Sequence, residues 1–227
     1  MNTLQEEQQQ FQFTPATLAI PLYTVLFLWV IFWFEINFGY NFTNYGIYPR
    51  TLKGLRGILF SPFIHGSIKH LFNNSIPLFV LLISLFYFYK KIAFKILIYG
   101  TLLSGFLTWI IAREVYHIGA SGIVYLLFSF ILFSGIIRKY YRLIAVSLIV
   151  IFLYGSMIWY ILPIRDEISW EGHLSGFLVG LLFAFTYRNY GPQPIAYHWE
   201  EEDEHVDYQC EDGESRLDEI TDDEPNI

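Results

Sequence analysis

Six stretches of this chain are apolar enough, and long or nearly long enough, to cross a bilayer. They run roughly over 17–36, 68–89, 92–112, 120–137, 141–162 and 172–188. Spanning the hydrocarbon takes about 20 residues of helix. No water is available there, so each N–H and C=O must find its partner within the protein. Long unbroken apolar runs favour helices over barrel strands, whose hydrophobicity alternates. The predicted fold is therefore all-α: a polytopic membrane protein built as a bundle of six transmembrane helices. The hydrophobic content of 54% exceeds the roughly 45–50% of an ordinary soluble domain, and the mean hydropathy is +0.40.

Charge is segregated along the chain. Of the 21 acidic residues, fourteen lie between Glu200 and Glu224, beside a single Arg. The net charge of −7 thus belongs to the tail, and residues 1–190 are net positive. The expected organisation is a short N-terminal segment (1–16), a membrane domain (17–190) and an acidic tail (191–227) whose composition predicts disorder. No basic cluster points to nucleic acid. The lone cysteine, Cys210, lies in the tail. It permits neither an intramolecular disulfide nor a cysteine-based metal site.

The first apolar stretch lacks a basic leader and is longer than a signal-peptide core, so it is expected to remain as a helix. Lys90, Lys91 and Lys95 separate the second and third stretches, and Arg138, Lys139 and Arg142 separate the fourth and fifth. The opposite loops hold one basic residue each, Arg113 and Arg165, among Glu114, Asp166, Glu167 and Glu171. The basic loops are expected in the cytoplasm, with both termini. The loop over 37–67 runs against this count, because it carries Arg50, Lys53 and Arg56. Its many aromatic residues, Tyr40, Phe42, Tyr45 and Tyr48 among them, predict a structure in the outer interface. Glu35 and His117 are also expected at the interface.

In this topology the second, fourth and sixth helices all start on the outer side. His70 and Asn74 open the second, Ser121 the fourth and His173 the sixth. At 1.5 Å per residue these four fall within about 10 Å of one depth. Polar groups at membrane depth are costly unless they face the protein interior or water. His70 and Asn74 are four residues apart and share one helical face. Both can donate hydrogen bonds, as a developing oxyanion requires. Gly172, Gly176 and Gly180 recur every fourth residue, a pattern that lets helices approach closely. Gly119 and Gly122 flank Ser121. A serine within reach of a histidine, with donors at matching depth, predicts nucleophilic hydrolysis.

Three motifs in order, His65-Gly-Ser-Ile-Lys-His70-Leu-Phe-Asn73-Asn74, Gly119-Ala-Ser121-Gly122 and Gly172-His173-Leu-Ser-Gly176-Phe-Leu-Val-Gly180, resemble those of the rhomboid family of intramembrane serine proteases. The resemblance covers all six stretches. It implies that Ser121 attacks the scissile carbonyl of a membrane-embedded protein substrate near the outer boundary. It implies that His173 relays the proton, in a dyad with no acidic third member. It puts the oxyanion on His70, Asn74 and the Ser121 amide. It also implies that Tyr125 packs against the histidine and that Gly119 leaves room beside the oxyanion. A compact six-helix member implies a bacterial cytoplasmic membrane. The Trp-Arg pair that many bacterial members carry in their first loop is absent here. His65 is expected to anchor a loop or a helix start.

Other hydrolase classes fit poorly. Position 123 is Ile, so there is no Gly-x-Ser-x-Gly elbow, and no His-Glu-x-x-His zinc motif occurs. No metal and no cofactor is expected. A catalytically silent rhomboid-like protein that binds membrane helices would be marked by loss of Ser121 or His173, and both are present.

Overall fold

The computed structural model describes residues 13–153, 159–163 and 168–192. These residues belong to one compact unit, Met1–Pro194. The acidic tail from residue 193 onward, with Cys210, lies outside them.

The described residues form eight α-helices and contain no strand beyond an isolated bridge. They are α1 (Pro15–Phe38), α2 (Leu52–Leu55), α3 (Gly57–Phe60), α4 (Ile68–Phe88), α5 (Ala93–Ile111), α6 (Ser121–Ile137), α7 (Tyr141–Leu153) and α8 (Trp170–Thr186). Three of them, α1, α4 and α5, are long and apolar enough to cross a membrane. The fourth and sixth expected stretches appear as helices of 17 residues each. The fifth stretch begins as a helix of 13 residues, and part of its remainder lies outside the described residues.

Local sequence explains where the helices begin and end. Pro15 stands in the first turn of α1, where its missing N–H costs nothing, and Gly39 closes that helix in the left-handed conformation (φ 68°). Ser67 caps α4 by accepting the His70 N–H at 3.1 Å, which fixes the first turn of that helix and the height of His70.

Contacts between helices fix their directions. Trp29 of α1 donates to Ser75 Oγ of α4 at 3.0 Å, while Phe13 meets Tyr87 at the other end, so α1 and α4 are antiparallel. His70 and Asn74 of α4 lie beside Gly119, just before α6, and Tyr89 at the end of α4 packs on Phe130. Hence α4 and α6 run parallel. A Cβ on Gly176 would overlap the Gly122 carbonyl oxygen, and one on Gly180 the Leu126 carbonyl oxygen. Both numbers rise together, so α6 and α8 are parallel as well. The starts of α4, α6 and α8 therefore share one end of the bundle.

The core lies around α6, where Leu126, Leu127, Phe130 and Ile131 are completely buried. The outward residues of α1, including Leu22, Leu26, Val30 and Trp33, are exposed as a lipid-facing helix demands. Lipid tails are as apolar as leucine, so burying such residues does not drive helix association; close packing and hydrogen bonds do. Glycines at the α6–α8 crossing permit that packing. Ser129 Oγ of α6 donates across it to the Phe177 carbonyl of α8 at 2.7 Å.

The long first loop holds itself together. The Arg50 guanidinium donates to the Ala112 and Ile110 carbonyls at the end of α5, at 2.7 and 3.2 Å. Arg56 donates to the Asn44 carbonyl and lies over the Tyr45 ring, 4.4 Å from its centroid. Two of the three basic residues that run against the charge count are thus engaged in folding the loop. Glu35 accepts the Phe42 N–H at 2.8 Å, which ties the loop back to α1.

Replacing Gly176 by Ala puts a methyl group into the backbone of α6, which cannot move aside cheaply. The expected loss is about 1–3 kcal/mol, the usual cost of overpacking, read as a lower thermal midpoint in detergent. Gly66→Ala, whose new Cβ meets only Ile118 at 3.7 Å, should leave the midpoint nearly unchanged. Equal midpoints for the two variants would contradict the role given to the crossing.

Candidate active site

Ser121 is the first residue of α6. Its N–H is one of the donors that a helix start leaves open, and nothing among the described residues accepts it. The two preceding amides are both engaged: Gly119 N–H donates to the Ser61 carbonyl at 2.8 Å, and Ala120 N–H to His65 Nε2 at 3.4 Å. Gly119 has φ 109°, a conformation that side chains rarely allow. A Cβ there would also stand 2.7 Å from His70 Nε2 and 3.5 Å from Asn74 Nδ2. The glycine thus lets the segment before Ser121 run directly against these two side chains.

Asn74 is buried, and its Nδ2 has no hydrogen-bond partner among the described residues. A buried donor left unpaired costs about 1–3 kcal/mol and calls for an explanation. It lies beside Gly119, two residues before the hydroxyl of Ser121.

His173 sits in the first turns of α8 and is 6% exposed. Its ring stacks on Tyr125, with centroids 4.3 Å apart and planes 19° from parallel. Tyr125 is one turn beyond Ser121, so the stack puts His173 alongside the face of α6 that Ser121 begins. Nδ1–H donates to the Tyr160 carbonyl at 2.8 Å. That bond fixes the tautomer and leaves Nε2 as the basic nitrogen. A backbone carbonyl thus orients the ring in the way a carboxylate does in a triad.

Of the residues singled out from sequence, the structure groups His70, Asn74 and Gly119 at one place and Tyr125 with His173 at another, with Ser121 between them in the chain. His65 is buried in the turn before α4, meets the His70 ring at 5.1 Å and receives Ala120 N–H. It anchors a loop, as expected. His117 packs into the protein. It is 3% exposed, with both its ring nitrogens and its backbone bonded inside the protein. Tyr160 was missed, since its contribution is a carbonyl that every residue carries.

A cavity of about 40 Å³ opens beside Ser121, with Ser61, Ser104, Thr108, His117 and Ser169 among its lining. Water needs a few polar partners and roughly 10–15 Å³ of such space, so this chamber is large and polar enough to hold it. Among the described residues no cluster of His, Cys, Asp or Glu is suited to a metal.

An all-helical membrane bundle with serine, histidine and amide donors at one end defines a class, and comparison with known proteins gives the same one. The family model of the Rhomboid domain matches residues 53–190. The chain belongs to the rhomboid family, whose members are in general intramembrane serine proteases. It is similar to proteins of Mycobacterium bovis and Mycobacterium tuberculosis, each 34% identical over 152 residues, or 62% of this chain and 62% of theirs. A Mycobacterium leprae protein is 30% identical over 158 residues, 64% of this chain and 61% of its own. All three bear the name uncharacterized protein. The chain thus matches about three-fifths of the length of these relatives.

Burial, and then the nearby His70, push the His65 pKa down to about 4. Below its ordinary value near 6.5, the unfolded chain takes up a proton that the folded chain refuses until about pH 4. Stability from this group is therefore present above pH 6.5 and lost as pH falls toward 4. The thermal midpoint should decline across that interval, and decline less in His65→Gln, which keeps an acceptor for Ala120 N–H. An identical decline in the variant would remove His65 from the acid response.

Proposed function

We propose that this protein is an intramembrane serine endopeptidase that cleaves transmembrane proteins near the outer membrane boundary. The observation that carries the reading is the unpaired, buried Asn74 amide beside Gly119, at the start of the helix that Ser121 opens. A donor kept free in the core has a use if a negative oxygen forms next to it.

Ser121 Oγ gives its proton to His173 Nε2 and bonds to the scissile carbonyl carbon. The carbonyl oxygen becomes an oxyanion, held by the His70 ring, Asn74 Nδ2–H and the Ser121 N–H. As the intermediate collapses, the C–N bond breaks and His173 passes the proton to the leaving amine. An ester on Ser121 remains. Water from the polar cavity, losing a proton to His173, hydrolyses it and restores the hydroxyl. No metal or nucleotide takes part. His173 keeps its Nδ1–H on the Tyr160 carbonyl throughout, so the ring stays aimed while its charge changes.

The shorter α6, α7 and α8 are read as spans too, giving six in all. Helices of 17 residues still reach the lower end of the spanning range. The basic residues at the far ends of α4, α6 and α8 favour both termini in the cytoplasm. The site then faces outward, and the membrane is the cytoplasmic membrane of a bacterium.

Wild-type protein in proteoliposomes should cut a single-span model substrate, and Ser121→Ala should not. Asn74→Ala should lower kcat by about 10²–10³-fold, as loss of an oxyanion donor does. A serine-directed phosphonate should label wild type but neither Ser121→Ala nor His173→Ala. Equal product from wild type and Ser121→Ala would sink the assignment.

A further inference from the structure

We propose that His117 and Ser169 are positioning residues for the Ser121–His173 pair, forming a strap between the segment that leads into α6 and the start of α8. The proposal rests on the protease reading above. His117 stands four residues before Ser121, and Ser169 four residues before His173. Their side chains are hydrogen-bonded to each other. The bond thus ties the two chain segments one step upstream of the two groups that have to meet.

His117 is the fixed end of the strap. Its backbone pairs both ways with Ile47 of the first loop: Ile47 N–H donates to the His117 carbonyl at 3.0 Å, and His117 N–H to the Ile47 carbonyl at 2.9 Å. Its Nε2–H donates to the Arg113 carbonyl at 3.0 Å. With Nε2 carrying the proton, Nδ1 accepts from the Ser169 hydroxyl. Burial pushes the His117 pKa down, against the Arg113 carbonyl bond and the Glu171 charge, which raise it. The neutral ring fits this pattern of one donor and one acceptor. His117 lines the cavity next to Ser121, yet neither nitrogen is free to take a proton from water. Its role is therefore positional.

Ser169 shows that the bond is a specific feature. It occupies the N-cap of α8, and its carbonyl accepts the N–H groups of Gly172 and His173 at 3.1 and 3.3 Å. An N-cap serine ordinarily turns its hydroxyl onto an amide of the first turn. This one makes no such bond and is directed across to His117 instead. A second tie lies beside it. Arg113 Nε is 3.3 Å from Glu171 Oε1, the Arg113 N–H donates to the same oxygen at 3.2 Å, and the guanidinium donates to the Ile168 carbonyl at 2.6 Å. Glu171 is buried in the first turn of α8. These contacts restrain the start of α8, and with it His173, against the loop that ends at Ser121. Nucleophile and base tolerate little error, since a displacement of about 1 Å can cost about 10²-fold in rate.

The test uses the full chain in proteoliposomes, with a single-span model substrate and a serine-directed phosphonate, each rate expressed per folded molecule. Ser169→Ala should lower kcat by about 10- to 100-fold, leave KM within about twofold, and slow phosphonate labelling of Ser121 in proportion. Ser169→Thr keeps a hydroxyl and should recover most of the rate. The double variant His117→Phe/Ser169→Ala should be no slower than the slower single variant, because the strap breaks only once. Full wild-type kcat in Ser169→Ala overturns the proposal, as does a Ser169→Thr protein as slow as the alanine variant, or a loss confined to KM. If wild type itself shows no Ser121-dependent cleavage or labelling, the protease reading fails and the strap falls with it. An active wild type with an equally active Ser169→Ala removes the strap alone.

Discussion

Everything at the candidate site depends on how closely α6 and α8 approach. At Gly176 and Gly180 even a methyl group would collide with a carbonyl of α6. In lipid this closeness matters more than apolar area, because moving leucine from a lipid tail to a protein neighbour gains little. The crossing brings the backbones together, and backbones in contact fix register. The parallel match of Gly122 with Gly176 and of Leu126 with Gly180 then sets the height of His173 against Ser121. Tyr125 fills the remaining space with a ring stacked on the imidazole.

A second close approach sets the other half of the site. Gly119 has no Cβ and a positive φ, so His70 and Asn74 lie directly against the chain before Ser121. The Ser67 cap fixes the turn that carries His70, and Gly119 N–H is bonded to Ser61 on the approach to α4. The starts of α4 and α6 are thereby held together at one end of the bundle. The opposite end is secured differently. There a buried Arg138 donates to the Tyr187 and Arg188 carbonyls at the close of α8 and to the Tyr89 hydroxyl. A cation at a helix C-terminus is favoured by the dipole, and the guanidinium donates to carbonyls that the helix end leaves without partners.

Much of this was legible in the sequence, for reasons of period and length. Apolar runs marked α1, α4, α5 and α6 to within about two residues, since lipid allows no other state for them. The polar layer was legible because a Ser, two His and an Asn at matched depths violate the apolar pattern. Contacts between distant loops were not legible. Arg113 and Glu171 read as two loop charges, yet they form one pair across 58 residues of chain. Ser169 is a good N-cap residue before Trp170, a signal that places the start of α8 two residues earlier than hydrophobicity does. Its turn toward His117 follows only from the fold. Tyr160 acts through its carbonyl, and sequence says nothing about which carbonyl a histidine will choose.

The basic residues illustrate how a counting rule and a structure interact. Loop charge predicts orientation because free cations resist translocation. Arg50 and Arg56 lie on the side where few are expected, and both guanidinium groups are bonded to loop or helix-end carbonyls, Arg56 also lying over an aromatic ring. Arg113 on the same side is engaged with Glu171. Once folded, Arg50 and Arg113 act less as mobile charges than as multidentate donors, a role the planar guanidinium fills and an ammonium group does not. Lys90, Lys91 and Lys95 at the other end are the compact, strongly hydrated cations to which the rule best applies. The conflict in the count is therefore one of residue type: arginine at the candidate site's end of the bundle serves the fold, and lysine collects at the opposite end.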